Sequence, residues 1–239
     1  LLLRVHPSNF RVVGFTERPS LKDFVALGLS AGIPTFEDIG SGCLSDMSNA
    51  AITDEPVPKD SIAAGVDVVS FSGDKLMGGP QAGIVAGRKG VIDRIRQNPL
   101  FRALRVDKLT LSALEIVLLM HLRGDSLDIP VVGMLAAGES ELRDRSEAMA
   151  RRAGNPAVTS IPLKSVVGGG SVPGVEIPSW GIALSPGKMS ASELEKRFRR
   201  SKPPVIVRIE DDRVLLDLRT VSRNEEDALL GVIAEIVAD

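Results

Sequence analysis

Tyrosine is absent from this 239-residue sequence, tryptophan occurs once, and aromatic residues make up only 3% of it. The core must therefore be aliphatic, and recognition by aromatic stacking, as on single-strand nucleic-acid platforms, has few residues to work with. A single cysteine, Cys43, excludes an intrachain disulfide or a Cys-x-x-Cys zinc site, which fits a reducing compartment. With only two histidines beside it, there is no credible metal cluster. No apolar run approaches the roughly 18 residues of a membrane span, because the best candidate, 109–122, is broken by Glu115 and His121. What the chain does have is 44% hydrophobic and 25% charged residues, enough to bury a core in one large or two modest domains. The opening Leu1-Leu2-Leu3-Arg4-Val5 is too short for a signal peptide, lacks an initiator Met and reads as a core strand, so the chain is expected to begin inside a domain.

Strand and helix signals alternate through the first half. Leu1–Val5 reads as a strand, and Ser20-Leu21-Lys22-Asp23 opens a helix to about Ala31. Ile33–Glu37 reads as the next strand, followed by Asp38 and Gly40-Ser41-Gly42, then a short helix near Ser61 stopped by Gly65. Val66–Phe71 is an apolar run suited to a strand buried on both faces, and Ala82–Ala86 is another. Helices are expected around Val91–Gln97 and Thr110–Arg123, the latter stopped by Gly124. This order implies an α/β sheet with helices on its faces. The pattern changes after Gly124–Pro130, which divides the chain into domains at 1–124 and 125–239. The second part holds a charged helix (about Ala136–Ala153), a Gly/Pro-rich stretch from Gly168 to Gly174, and strands at Val205–Ile209 and Val214–Leu218. Capping boxes at Ser190–Glu193 and Ser222–Glu225 open two flanking helices, so this part reads as a small α+β domain.

The chemistry concentrates in Ser72-Gly73-Asp74-Lys75-Leu76-Met77-Gly78-Gly79, which puts a lysine just past a buried strand in a glycine-rich loop. Ligands of open α/β sheets bind at such carboxyl ends. A desolvated lysine there can form a Schiff base. Asp38 also follows an apolar strand, and an aspartate with a lysine is what pyridoxal phosphate needs, one to hold the ring nitrogen protonated and the other to carry the aldehyde. The bland alternative is a surface Lys75 paired with Asp74 and a solvated Asp38. The loop is not a Walker A sequence. From Arg88 to Lys108 seven bases face two acids, although the whole chain carries a net charge of −2. This patch could meet phosphate or an RNA backbone, and Arg102 and Arg105 are spaced so that both guanidiniums could face one oxyanion; a solvated helix face is the alternative. A second basic run, from Lys196 to Lys202, reads as a solvated helix end. His6 ends the first strand, where it could touch a cofactor or serve as a structural histidine. His121 reads as core packing and Cys43 as a small buried hydrophobe.

Four segments resemble the bacterial selenocysteine synthases, the L-seryl-tRNA(Sec) selenium transferases. They are Val12-Val13-Gly14-Phe15-Thr16-Glu17, Asp38-Ile39-Gly40-Ser41-Gly42, the lysine segment from Phe71 to Gly83, and Arg102-Ala103-Leu104-Arg105-Val106-Asp107. The likeness continues through Gly168–Gly174, Pro178-Ser179-Trp180 and Leu216-Asp217-Leu218-Arg219-Thr220-Val221, so it covers essentially the whole chain. It implies a fold-type-I pyridoxal-phosphate architecture, with residues 1–124 the C-terminal part of the cofactor-binding large domain and 125–239 the small C-terminal domain. By the same resemblance Lys75 matches the Schiff-base lysine and Asp38 the partner of the pyridine nitrogen. Ser72 is implied as a ligand of the cofactor phosphate and Asp74 beside the lysine, while Arg102 and Arg105 are implied at the selenium-donor site. The implied reaction converts L-seryl-tRNA(Sec) to L-selenocysteinyl-tRNA(Sec) with selenophosphate, through an aminoacrylyl-tRNA. The implied setting is the cytoplasm, in a ring-shaped homo-oligomer built from dimers.

The chain departs from the family pattern at Pro7, where a threonine-like residue is expected, and at Cys43, which replaces a small residue. The N-terminal half, with its tRNA-binding domain and a further glycine-rich cofactor loop, is expected to be missing. Two other readings stand beside selenium transfer: a small-molecule pyridoxal-phosphate β-eliminating lyase of the same superfamily, and a fragment inactive on its own.

Overall fold

The computed structural model describes residues 1–10, 12, 14–44, 47, 52, 55–168 and 170–237. Val13 and Gly169 of the motifs above lie outside the described residues. The chain forms two compact units, Leu1–Ala136 with Val167–Val175, and Ala137–Val166 with Glu176–Asp239. Relative to a division at 124/125, residues 125–136 stay with the first unit. The glycine-rich stretch also returns to it, from between two strands of the second.

The first unit is built on β1 (Leu2–Val5), α1 (Leu21–Ala31), β2 (Thr35–Gly40), α2 (Pro58–Ala63), β3 (Val68–Ser72) and β4 (Gly83–Gly87). β1, β2 and β3 run parallel in that order, which brings their carboxyl ends to one edge. The expected α/β class is therefore present, with a mixed, mostly parallel sheet. α1 starts where the Ser20 side chain accepts the Asp23 amide and stops at Gly32, in the left-handed conformation. Its Phe24 and Val25 meet Ile39, Val69 and Phe71 in an aliphatic core with few aromatics.

β4 differs from the expectation of a strand buried on both faces. It pairs antiparallel to β3 at the end of the sheet and is half-exposed along its length. The reason is the short loop before it, which permits a hairpin-like return but no crossover to a parallel position. After it come α3 (Lys89–Gln97), α4 (Pro99–Ala103), α5 (Lys108–Arg123) and α6 (Pro130–Ala136). α5 is apolar yet has no buried residue, with Leu109 84% and Leu122 82% exposed.

In the second unit, α7 (Glu139–Ala153) packs on a sheet of β5 (Val158–Val166), β6 (Glu176–Leu184), β7 (Arg208–Glu210) and β8 (Arg213–Asp217), in the order β5-β6-β8-β7. α8 (Ala191–Arg200) and α9 (Glu226–Val237) complete it. The strand expected at 214–218 is β8, whereas that expected at 205–209 is shorter and later, β7 beginning only at Arg208. β5 and β6 carry Pro162 and Pro178, which remove ladder donors and mask a strand signal. Both are tolerated because β5 is an edge strand and Pro178 lies in the part of β6 that pairs with β5 alone. At the end of β8, Asp217 accepts the hydroxyls of Ser165 (2.5 Å) and Ser179 (2.7 Å) and the Arg219 amide (3.0 Å). The buried Arg219 guanidinium donates to the carbonyls of Ala137 and Pro178.

The register of β2 on β3 is tied at its start by Asp67, which accepts the Thr35 amide at 2.8 Å and the Thr35 hydroxyl at 3.0 Å and pairs with Arg88. Burial alone would raise the Asp67 pKa, but the Thr35 amide, the Arg88 guanidinium and the Thr35 hydroxyl outweigh it and hold the carboxyl below its ordinary value. A depressed carboxylate stabilises the fold above its unfolded pKa, and that contribution is lost as pH falls through the folded value. Asp67→Asn should cost about 2 kcal/mol at pH 7. In denaturant titrations the gap to the native protein should close below about pH 4; a gap that persists there would remove the charge from the explanation.

Candidate active site

Three strand ends define the site. Val5 of β1 is in register with Asp38 of β2, and Asp38 with Ser70 of β3. The Ser70 hydroxyl donates to Asp38 Oδ1 at 2.8 Å, so one carboxylate oxygen is fixed across the strand pair. The register then shifts between Asp38 and Gly40, an irregularity of the kind that re-aims side chains beside active sites. His6, one residue past β1, donates its amide to the Asp38 carbonyl (2.8 Å), and its Nε2 lies 3.4 Å from Oε2 of the nearly buried Glu55.

The lysine loop is sewn to this edge by backbone bonds. The Leu76 amide donates to the Ser41 carbonyl at 3.0 Å, Gly73 to Ala82 at 2.8 Å, and Gly79 to Gly73 at 2.7 Å. Leu76 and Met77 are buried, and the Met77 carbonyl is bound by His121 Nε2 at 2.9 Å. His121 thus braces the loop from α5, a more specific role than the core packing expected. Between these anchors Lys75 is half-buried and lines a cavity of about 350 Å³ with Asp74, Gly78, Pro130, Val167 and Ser171. Ser72 is half-buried at the end of β3, and Asp74 is exposed. Cys43 is buried beside the Gly40–Gly42 turn.

Arg102 and Arg105 stand elsewhere in the first unit. Asn98 caps α4 by accepting the Leu100 amide, and Asp107 caps α5 by accepting the amides of Leu109 and Thr110. The Thr110 amide and hydroxyl hold the Asp107 carboxyl below its ordinary pKa. Between the two caps both arginines are exposed, and neither lines the Lys75 cavity. Of the residues expected at the site, His6, Asp38, Ser72, Asp74 and Lys75 lie at one edge of the sheet, whereas Arg102 and Arg105, expected at the donor site, are not among the residues lining the Lys75 cavity. The sequence reading missed Ser70, Glu55 and Ser171. Ser70 carried a signal, a polar residue within an apolar strand beside Asp38, whereas Glu55 carried none.

The family model for L-seryl-tRNA selenium transferase matches residues 1–222. The chain belongs to that family. It is 42% identical to the L-seryl-tRNA(Sec) selenium transferase of Aquifex aeolicus (strain VF5), over all of this chain and 54% of that protein. With the Geobacter sulfurreducens protein of the same name it shares 44% identity, over all of this chain and 53% of the relative. The chain therefore spans about half the length of the curated relatives it matches. Among solved structures, D-glucosaminate-6-phosphate ammonia-lyase superposes with a TM-score of 0.59 at 20% identity, covering all of this chain and 58% of that one. That likeness concerns the fold, and the fold-type-I architecture implied by the resemblance is the one found.

Gly42 joins the two halves of the site. Its φ is +70°, and a Cβ there would stand 2.1 Å from the Ser72 carbonyl oxygen, a backbone atom that cannot swing aside. Gly42→Ala should cost roughly 2 kcal/mol or more, from a left-handed backbone and a steric clash together. Thermal melting checks the cost, and a melting temperature equal to the native one would mean that the two loops are not in contact.

Proposed function

We propose that the chain carries the cofactor-bearing part of a cytoplasmic enzyme that converts L-seryl-tRNA(Sec) to L-selenocysteinyl-tRNA(Sec), with pyridoxal phosphate as cofactor and selenophosphate as selenium donor. The observation that carries this reading is Lys75 in a braced loop at the carboxyl edge of the sheet, one strand from an Asp38 fixed by Ser70, in a chain of this family. The first unit then corresponds to the C-terminal part of the large domain and the second to the small domain. A small-molecule β-eliminating lyase would use the same lysine and aspartate, but only the fold likeness speaks for it.

The residues fit the cofactor. Ser70 engages one oxygen of Asp38 and leaves Oδ2 to hold a proton on a pyridine nitrogen through a charge-assisted bond. Lys75 is close enough to the cavity for its Nζ to carry the aldehyde carbon, and Ser72, Asp74 and His6 border the same edge. When bound, the cofactor supplies an electron sink for the pair left on the substrate α-carbon. Lys75 Nζ, once released by the incoming amino group, takes the α-proton of the seryl group as general base and can return a proton as the β-hydroxyl leaves. Arg102 and Arg105, which do not line the Lys75 cavity of their own chain, bind the phosphate of selenophosphate and bring its selenium to the β-carbon from a second copy of the chain.

Self-association is part of the reading. Leu111, Leu118, Leu119 and Leu122 of α5 form an exposed apolar face next to the arginine corner, a surface suited to a second copy of the chain. The described residues contain no helix long and apolar enough to cross a membrane.

Lys75→Ala in the full-length protein should abolish the visible absorbance of lysine-bound cofactor and cut selenium transfer by at least about a hundredfold; normal turnover would end the proposal. For the arginines, the informative quantity is which step fails. Arg102→Ala combined with Arg105→Ala should leave tRNA binding and dehydration of the seryl group intact while selenium incorporation is lost. If tRNA binding is lost instead, and incorporation recovers at saturating tRNA, the pair belongs to an RNA-binding surface.

A further inference from the structure

The segment 167–175 links β5 to β6 of the second unit but belongs to the first, where Val167 and Ser171 line the Lys75 cavity. Its backbone comes close to the lysine. At Gly170, with φ +91°, a Cβ would stand 3.3 Å from Lys75 Cε and 3.5 Å from Nζ, so this wall of the cavity is made of backbone without a side chain. The next residue points to a ligand. Ser171 is 5% exposed, and its hydroxyl is buried with no hydrogen-bond partner. Buried hydroxyls are nearly always paired in native proteins, because leaving one unmade forfeits its hydration without compensation. Ser171 departs from that rule beside the functional lysine, a position where an unsatisfied group finds its partner on what the cavity binds.

We infer that Ser171 is a further binding residue of the Lys75 site, its hydroxyl donating to an oxygen acceptor on the molecule that occupies the cavity. This rests on the pyridoxal-phosphate reading above. Under that reading the acceptor is either a phosphate oxygen of the cofactor or the acyl oxygen of the seryl ester, which share the chemistry of an oxygen that accepts but cannot donate. The unpartnered state also separates a binding role from a structural one. A structural hydroxyl stabilises the ligand-free protein, whereas one waiting for a ligand does not.

The experiment compares Ser171→Ala with the native full-length protein in three measurements. Ligand-free thermal melting should be unchanged or slightly raised. Titration with pyridoxal phosphate, followed by visible absorbance, and the kcat and KM for L-seryl-tRNA(Sec) on the cofactor-saturated protein form the other two arms. A loss of about tenfold is expected in one of them. A weaker cofactor titration assigns the hydroxyl to the phosphate, and a raised KM or lowered kcat at saturating cofactor assigns it to the acyl oxygen. Native values in both arms overturn the inference, as does a ligand-free melting temperature several degrees below native. Failure of the underlying reading shows separately: borohydride reduction of the native protein with pyridoxal phosphate, followed by peptide mapping, must label Lys75 whatever Ser171 does.

Discussion

The register of β2 against β3 is the constraint on which the site depends. Side chains alternate across a strand, so a slip of one residue would turn Asp38 to the opposite face and present the buried Glu37 or Ile39 in its place. Two polar ties at opposite ends of the strand pair prevent that slip. At the start, Asp67 grips the amide and hydroxyl of Thr35; at the end, Ser70 grips Asp38. The second tie is also part of the site, so the bond that fixes the register simultaneously sets which carboxylate oxygen remains available. The lysine loop inherits its position from the same pair, because it begins at Ser72 and is bonded back to Ser41 just past β2.

How much of this was legible depends on whether the signal is local. Lys75 follows an apolar run, and that alone places it past a strand end once the sheet is parallel, whereas Asp38, expected just past its strand, lies within the last residues of β2. Helix limits were equally local: Ser20, Asp107 and Ser222 cap, while Gly32 and Gly124 stop. Pairing direction was not local. β4 reads like β3 in composition, yet it returns antiparallel because of the loop length before it, which leaves it on the edge and half-exposed. β5 and β6 were hidden by their prolines, whose cost depends on which neighbour each strand segment has. Glu55 gave no signal because nothing in its own segment indicates that His6 is its neighbour.

Motifs that mark the family proved to be of two physical kinds. The C-terminal segments Pro178-Ser179-Trp180 and Leu216–Val221 form a buried hydrogen-bond network, in which Asp217 joins β5, β6 and the turn after β8 while Arg219 satisfies two carbonyls. Burial pushes the Arg219 guanidinium pKa down, and the nearby Asp217 carboxylate opposes that shift. These bonds tie β5, β6 and the turn after β8 together beside the hydrophobic core of the second unit. The glycine run differs. It looks like a linker in sequence, yet its backbone forms the wall beside Lys75, where a side chain at Gly170 would meet the lysine end. Composition alone does not distinguish a flexible glycine from one selected for close approach.

The arginine corner and the apolar helix invite a single explanation. Arg102 and Arg105 are exposed between two helices with side-chain caps, and they do not line the cavity of their own chain. α5 begins directly after them and exposes leucines that a monomer would have reason to cover. A contact that buries the α5 face in a second copy would carry the adjacent guanidiniums to whatever surface lies across it. Under the function proposed above, that surface is the open side of another copy's Lys75 site, and the arginines and the lysine of one site would then come from different subunits. Association would then be a requirement for the selenium-transfer step rather than a source of stability alone, and the exposed leucines and the distant arginines would follow from the same assembly.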